Sequence, residues 1–234
     1  MAEIEIDGKK TAVEPGKSVL EVALASGKPI PHFCYHKKLS VTAGCRMCLV
    51  EVGDSPRLAA ACATPAVDGM TVRTDSEKVR EARKAVMEFL LINHPLDCPV
   101  CDQVGECRLQ DYVVEHGMNA SRYREEKRVV IVKDVGPLIS MQEMARCIQC
   151  TRCIRFGEEI GGLTEFGLFY RGDRAEVTTF PKSWVHSELS GNMIDVCPVG
   201  ALTSKPFRYT ARGWELVSRR SISPHDGLGS NLLV

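Results

Sequence analysis

The sequence lacks the features that mark several broad classes of protein. Its 30 Lys and Arg residues balance 30 Asp and Glu residues, and a net charge near zero argues against electrostatically driven binding to nucleic acid or to a membrane surface. No apolar run approaches the ~18 residues that a membrane-spanning helix needs. The N-terminal MAEIEIDGKK has no basic segment followed by an apolar one, so no secretory signal is visible. We therefore expect a protein of the cytosol, or one peripheral to a membrane complex, that binds no nucleic acid.

Sequence motifs of common substrate sites are also missing. No G-x-G-x-x-G follows a strand pattern, and neither H-E-x-x-H nor G-x-S-x-G occurs. The segment ending in Gly16-Lys17-Ser18 resembles the end of a phosphate-binding loop, but Thr11 occupies the position of its first glycine. The histidines other than His94 are scattered along the chain. The sequence therefore shows no site for a two-electron substrate.

The chain is instead rich in cysteine, with 11 among 234 residues. An odd number of cysteines and the absence of a visible signal argue against a secreted disulfide scaffold, and clustered cysteines in a reducing compartment are typical of metal or redox sites. They fall into three sets along the sequence: Cys34, Cys45, Cys48 and Cys62; Cys98, Cys101 and Cys107; and Cys147, Cys150, Cys153 and Cys197.

The first set is centred on the C-x2-C pair in GCRMC. Plant-type [2Fe–2S] ferredoxins also use a loop cysteine, a C-x2-C pair and a distant fourth cysteine, although their first gap is shorter. Gly44 permits close approach of the backbone to a cluster. We therefore predict a [2Fe–2S] cluster here, with a zinc ribbon or buried free thiols as the alternatives.

The third set contains RCIQCTRC, the C-x2-C-x2-C run of bacterial ferredoxins, and a distant Cys197-Pro198. In ferredoxins with two clusters the remote cysteine ligates the other cluster, but no second run of this kind occurs here. The simplest assignment gives all four cysteines to one [4Fe–4S] cluster.

The second set, in HPLDCPVCDQVGEC, has only three cysteines, and no spare cysteine remains elsewhere. A fourth protein ligand must then be another residue, and His94, Asp97 and Asp102 are the nearby candidates. We favour His94, because imidazole replaces thiolate at Rieske centres and the turn at Pro95 can fold it back. A zinc site with three cysteines and one histidine, or an iron with an open position, are the alternatives.

Local patterns predict an α+β chain. The alternating EIEI, the Asp7-Gly8 turn and KTAVE form a hairpin, and Ser18 with Glu21 caps a helix from Val19 to Ser26. Further strands are predicted at 47–52, 58–62 and 70–73. A second helix is predicted to be capped by Thr74 with Glu77 and to end at His94-Pro95. An apolar strand is predicted at VVIV. The C-terminal WELVSRRSI has a short strand-like pattern.

The segments GCRMCLVEV, HPLDCPVCDQVGECRLQD, RCIQCTRCIRF and SELSGNMIDVCPVGALTSKPF together resemble the large iron–sulfur subunit of NADH:quinone oxidoreductase, respiratory complex I. The resemblance covers essentially the whole chain. It implies a ferredoxin-like β-grasp [2Fe–2S] domain (1–78), a small helical [4Fe–4S] unit with one histidine and three cysteine ligands (79–118), a ferredoxin-like α+β [4Fe–4S] unit (119–212) and the start of a molybdopterin-oxidoreductase-like domain (213–234). That last domain is much longer in the family, so we expect either a fragment or a shortened subunit.

The resemblance also implies the ligands and the role of the chain. One [2Fe–2S] and two [4Fe–4S] clusters would be held by the eleven cysteines and His94, and the chain would be a subunit of an enzyme without a substrate site of its own. Electrons would enter from a subunit that binds FMN and NADH and leave through other iron–sulfur subunits of the peripheral arm to quinone, on the cytoplasmic or matrix side of the inner membrane. The alternatives are a diaphorase small subunit of an NAD-linked hydrogenase or formate dehydrogenase, and a zinc-stabilised scaffold without redox function.

Overall fold

The computed structural model describes residues 2–180, 183–225 and 227–234. The chain begins with the predicted hairpin, in which β1 (Ala2–Ile6) pairs with β2 (Lys9–Val13). Its turn has φ angles of 49° at Asp7 and 81° at Gly8, the left-handed conformation that an Asp-Gly turn favours. Helix α1 (Val19–Ala25) has the predicted capping box, since Ser18 Oγ accepts a hydrogen bond from the Glu21 N–H and the Glu21 carboxylate accepts one from the Ser18 N–H.

The hairpin belongs to a five-stranded sheet with the order β2-β1-β5-β3-β4. The three further strands are shorter than the sequence patterns predict: β3 (Leu49–Val52), β4 (Ala59–Ala60) and β5 (Thr71–Arg73). Strand β1 is parallel to β5, and the other neighbours are antiparallel. The buried side chains of α1 share one apolar core with those of the sheet. This arrangement is the predicted β-grasp unit.

The next unit is helical and consists of α2 (Glu77–Leu91), a 3-10 turn (Cys98–Val100) and α3 (Arg108–His116). The prediction that Thr74 caps α2 is wrong. The N-cap is Ser76, whose Oγ accepts a hydrogen bond from the Val79 N–H, while the Thr74 hydroxyl donates to the carboxylate of Asp7 at 2.6 Å. The tertiary contact with Asp7 therefore draws Thr74 away from the helix. The helix also ends at Leu91, before the predicted end at His94-Pro95.

The third unit combines short strands with two short helices. Its elements are β6 (Lys133–Asp134), β7 (Ile139–Met141), α4 (Arg152–Phe156), β8 (Phe166–Phe169), β9 (Glu176–Thr179), α5 (Asn192–Val196) and β10 (Thr203–Ser204). Strands β10, β7 and β6 form one antiparallel sheet, and β8 and β9 form a hairpin. A last hairpin, β11 (Arg220–Ile222) with β12 (Asn231–Leu233), is exposed.

Two strand predictions after residue 118 need correction. The VVIV segment, residues 129–132, has no strand structure, and Val129 and Ile131 are exposed. The two residues before this segment fix the chain by side-chain hydrogen bonds. Lys127 Nζ donates to the Leu91 carbonyl at 2.8 Å, and Arg128 Nη1 donates to the Ala175 carbonyl at 3.0 Å. In WELVSRRSI only Arg220–Ile222 is a strand, and Gly213–Glu215 form a 3-10 turn.

A second and larger apolar core joins the three units. It contains buried side chains of the loop in the first unit, of both helices in the second unit and of the third unit, for example Phe33, Met47, Met87, Leu109 and Met193. At least one cysteine of each set lies in or against this core, while Cys48 and Cys62 belong to the core of the first unit. Within the described residues, no helix has the length and the apolar character required to cross a membrane.

Candidate metal centres

The first cysteine set lies where the β-grasp sheet meets the large core. Cys48 and Cys62 flank the β3–β4 pair, and the Ala61 N–H donates to the Cys48 carbonyl at 3.1 Å. The loop between Cys34 and Cys48 contains two non-glycine residues with positive φ, Ala43 at 50° and Arg46 at 56°. This uncommon conformation wraps the loop so that the Cys34 N–H points at Cys45 Sγ, 3.5 Å away.

The thiols of the first set shift one another's pKa. A hydrogen bond from the Cys45 thiol, supported by one from Cys62, lowers the pKa of Cys34, and a hydrogen bond from Cys62 lowers the pKa of Cys48 to about 7. Hydrogen bonding to Cys34 correspondingly raises the pKa of both Cys45 and Cys62. Such sharing of protons marks a place where negative charge is concentrated, and a bound metal would replace those protons.

The second set lies on the 3-10 turn and at the start of α3. Cys98 and Cys101 delimit the turn, with the Cys101 N–H donating to the Cys98 carbonyl at 3.1 Å, and Cys107 is the N-cap of α3. Burial raises the pKa of Cys107, and the nearby backbone N–H groups of Gln110 and Leu109 oppose this shift without reversing it. A bound metal would have to replace the thiol proton of Cys107.

His94 has the properties expected of a metal ligand beside this set. Burial, more than any neighbouring charge, lowers the pKa of its imidazole to about 4, so the ring is neutral at pH 7. Its buried Nδ1 has no hydrogen-bond partner among the described residues. A neutral imidazole with an unsatisfied nitrogen is suited to ligate a metal.

The two carboxylates that compete with His94 as fourth ligand are engaged elsewhere. Asp97 Oδ2 accepts a hydrogen bond from Arg146 Nε at 3.0 Å, in an ion pair whose arginine side chain is almost completely buried. Asp102 accepts the Tyr209 N–H at 3.1 Å. Both carboxylates thus already have partners, whereas the buried Nδ1 of His94 has none among the described residues.

The third set is wrapped by a loop with repeated left-handed residues. Gln149 and Thr151, which alternate with the cysteines, have φ angles of 53° and 58°, and the Gln149 N–H lies 3.4 Å from Cys147 Sγ. Cys153 lies in α4, and Cys197 directly follows α5, the helix that packs against α4. The packing of these two helices brings the distant Cys197 to the loop.

Burial dominates the chemistry of the third set. It raises the pKa of Cys147 to about 12 and that of Cys150 to about 11, and it raises those of Cys153 and Cys197 as well. The charge of Cys197 adds to the effect on the other three. Four thiolates cannot be held together here without a compensating cation, so the donor chemistry suits an iron–sulfur cluster.

The described residues contain no group of three or more His, Cys, Asp or Glu side chains placed so as to hold a metal ion. The three ligand sets therefore rest on the loop conformations and on the chemistry of their donor atoms. The assignment of the twelve ligands remains a prediction.

Residues without metal-ligating groups also shape these sites, and the sequence patterns did not identify them. Arg146, Arg152 and Arg155 are buried beside the cysteines of the third set. A Cβ atom on Gly200 would overlap Cys101 Sγ, so the segment after Cys197 packs directly against the second set. The arginines in RCIQCTRCIRF could have been identified from the sequence, because they lie between and beside the cysteines. The contacts of Gly200 could not, because they depend on the tertiary fold.

Three family models match successive parts of the chain. Residues 1–77 match a 2Fe-2S iron-sulfur cluster binding domain, and residues 83–122 match the NADH-ubiquinone oxidoreductase-G iron-sulfur binding region. Residues 136–203 match the ferredoxin-like domain of NADH-quinone oxidoreductase subunit 3. Binding regions for iron–sulfur clusters are thus present in all three units.

Comparison with individual proteins agrees with the matches to the family models. The chain is 51% identical over all of its 234 residues to the G subunit of NADH-quinone oxidoreductase from Rickettsia conorii and from Rickettsia felis, and it covers 35% of each of those proteins. A crystal structure of NAD+-reducing [NiFe]-hydrogenase in the H2-reduced state matches with a TM-score of 0.81 and 29% identity, covering 90% of both chains.

These matches confirm the resemblance inferred from the motifs and the ferredoxin-like fold class. The chain spans about a third of the length of the curated relatives it matches. Over its own length it is similar to the G subunits of NADH-quinone oxidoreductase, and its middle segment matches the iron–sulfur binding region of that family.

Proposed function

We propose that this chain is an electron-transfer subunit of an NADH:quinone oxidoreductase and that it passes single electrons through three clusters. A [2Fe–2S] cluster would be held by the first set, a [4Fe–4S] cluster by His94, Cys98, Cys101 and Cys107, and a second [4Fe–4S] cluster by the third set. The observation that carries the proposal is that cysteines of all three sets, among them Cys45, Cys107 and Cys153, lie in or against one apolar core. The division at residues 78, 118 and 212 belongs to the same proposal.

The clusters supply reversible one-electron chemistry when bound. The protein residues hold the thiolates in short loops and donate backbone N–H groups to their sulfurs, as at Cys45 and Cys147. At the second set the neutral imidazole of His94 replaces one thiolate and so reduces the negative charge of the ligand set. At the third set, burial keeps charge away from solvent.

The proposed partners are an FMN-containing subunit that oxidises NADH and further iron–sulfur subunits that lead to quinone. We place the chain in the peripheral arm, on the cytoplasmic or matrix side of the membrane. The structural likeness to a chain of an NAD+-reducing hydrogenase supports a second candidate, a diaphorase-type subunit. Co-purification with membrane subunits favours the first candidate, and co-purification with a hydrogenase favours the second.

Cys153→Ser in the assembled enzyme tests the relay. This change removes one ligand of the third set, so we expect loss or conversion of one [4Fe–4S] cluster and loss of electron transfer from NADH to quinone. NADH oxidation by an artificial acceptor that takes electrons at the flavin subunit should continue, which separates a broken relay from failed assembly. Unchanged quinone reduction in a variant that has lost this cluster would contradict the proposal.

A further inference from the structure

Two buried arginines of α4 lie between the first and third cysteine sets. Arg152 and Arg155 are only 5% and 6% exposed, although α4 is a short helix that also contains Cys153. Arg155 Nη2 donates to the carbonyl of Cys34 at 2.7 Å and to the carbonyl of Cys150 at 3.1 Å. A single nitrogen atom thus links the backbones of two proposed ligands that belong to different sets.

The remaining bonds of these arginines hold the loop of the first unit against α4. Arg155 Nη1 donates to the Ser40 carbonyl at 2.5 Å, and its Nε donates to Thr151 Oγ1 at 3.3 Å. Arg152 Nη2 donates to the Tyr35 carbonyl, while its buried Nε has no partner among the described residues. Backbone carbonyls are neutral, so these bonds do not balance the charge of either guanidinium.

Neither guanidinium has a carboxylate within ion-pair distance among the described residues. Glu159, the carboxylate that Arg155 influences, is exposed and is bonded by Ser40. Arg108 and Arg155 add like charge near Arg152, and the sulfurs of Cys150 and Cys34 would supply the opposite charge as thiolates. Buried charges without counterions are strongly unfavourable, so anions at the two cysteine sets would stabilise both arginines.

We propose that Arg152 and Arg155 are positioning residues that form a cationic contact between the first and third clusters, hold the two ligand loops in register and stabilise the negative charge that each cluster gains on reduction. This inference rests on the proposed function. A cluster ligated by four thiolates is a net anion and becomes more negative when reduced, and nearby charges tune its potential. Removing either buried charge should therefore lower the reduction potentials of the first and third clusters together.

The second cluster provides an internal control, because the buried arginine beside it, Arg146, is already paired with Asp97. We would substitute Arg152→Gln, Arg155→Gln and Arg155→Lys in the complete subunit within its assembled enzyme. Arg220→Gln, on the exposed hairpin, makes the same change in net charge at a distance from the contact. Iron content and redox titrations followed by electron paramagnetic resonance would report each cluster separately.

The expected result is a lower potential for the first and third clusters in both glutamine variants, an unchanged second cluster, and wild-type potentials in Arg155→Lys and Arg220→Gln. If Arg155→Gln loses iron, the loss must be confined to the first and third sets, and Arg152→Gln must still show the shift. Unchanged potentials in Arg152→Gln, or iron lost from the second set, would overturn the inference. An unsubstituted protein without reducible clusters would contradict the proposed function itself, whereas three reducible clusters with potentials independent of the arginines would contradict the inference alone.

Discussion

The tightest packing between two candidate centres involves Gly200, which makes Gly200→Ala a selective probe of the second set. The added Cβ would overlap Cys101 Sγ and would stand 3.2 Å from Gln103 Cβ and 3.7 Å from Arg146 Cδ. Gln103 is partly exposed and can move, but Cys101 is buried and Arg146 is fixed by its ion pair with Asp97. The methyl group must therefore displace the sulfur of Cys101.

The expected loss of stability in Gly200→Ala follows from the cost of overpacking. Inserting a methylene-sized group into a well-packed site costs about 1–3 kcal/mol of folding free energy. A displaced Cys101 cannot complete the proposed ligand set, so we expect the second cluster to be lost and iron to fall by about four atoms per chain. The first and third clusters should remain, because the three atoms nearest to the added Cβ belong to Cys101, Gln103 and Arg146 and none belongs to a cysteine of the other sets.

Gly191→Ala is a matched control for this substitution. A Cβ on Gly191 would meet nothing within 4 Å, and its φ of −56° and ψ of −34° suit alanine. Such a change stabilises a protein by about 0.4–1 kcal/mol, so the two variants should change the free energy of unfolding in opposite directions. Iron analysis and chemical denaturation would compare them. Full iron content and undiminished stability in Gly200→Ala would refute this account of the packing between the second and third sets.

Two further substitutions test the surroundings of the second set. His94→Ala should perturb one cluster and leave two intact, as measured by iron content and electron paramagnetic resonance, and loss of all iron would show that the sites are not independent. Asp97→Asn leaves the buried charge of Arg146 uncompensated and should reduce the free energy of unfolding by about 3 kcal/mol. Asp134→Asn breaks the exposed pair with Lys205 and should cost no more than about 1 kcal/mol, so equal effects in denaturation would contradict the argument from burial.

Sequence reasoning succeeded where the signal is local. The Asp7-Gly8 turn and the capping box of Ser18 and Glu21 are decided by residues a few positions apart, and the structure confirms both. It failed at Thr74, because Asp7, 67 residues away in sequence, captures the hydroxyl. It also failed at VVIV, because β-propensity cannot supply the pairing partner that a strand needs.

The candidate sites follow the same rule. Short spacings such as C-x2-C-x2-C group the cysteines before any fold is known, and the family matches agree that iron–sulfur binding regions are present. The roles of Arg155 and Gly200 could not be predicted in this way. Arg155 reaches Cys34 across 121 positions of sequence, and Gly200 meets Cys101 only because the third unit folds onto the second.

Three clusters held by eleven cysteines and His94 require a fixed ratio of iron and sulfide to protein. The content of iron, zinc and acid-labile sulfide per chain should therefore be measured in anaerobically prepared protein. The account predicts about ten iron and about ten sulfide, with no stoichiometric zinc. About six iron with one zinc would contradict it, because the set of His94, Cys98, Cys101 and Cys107 would then be a structural zinc site and electrons would have to bypass it.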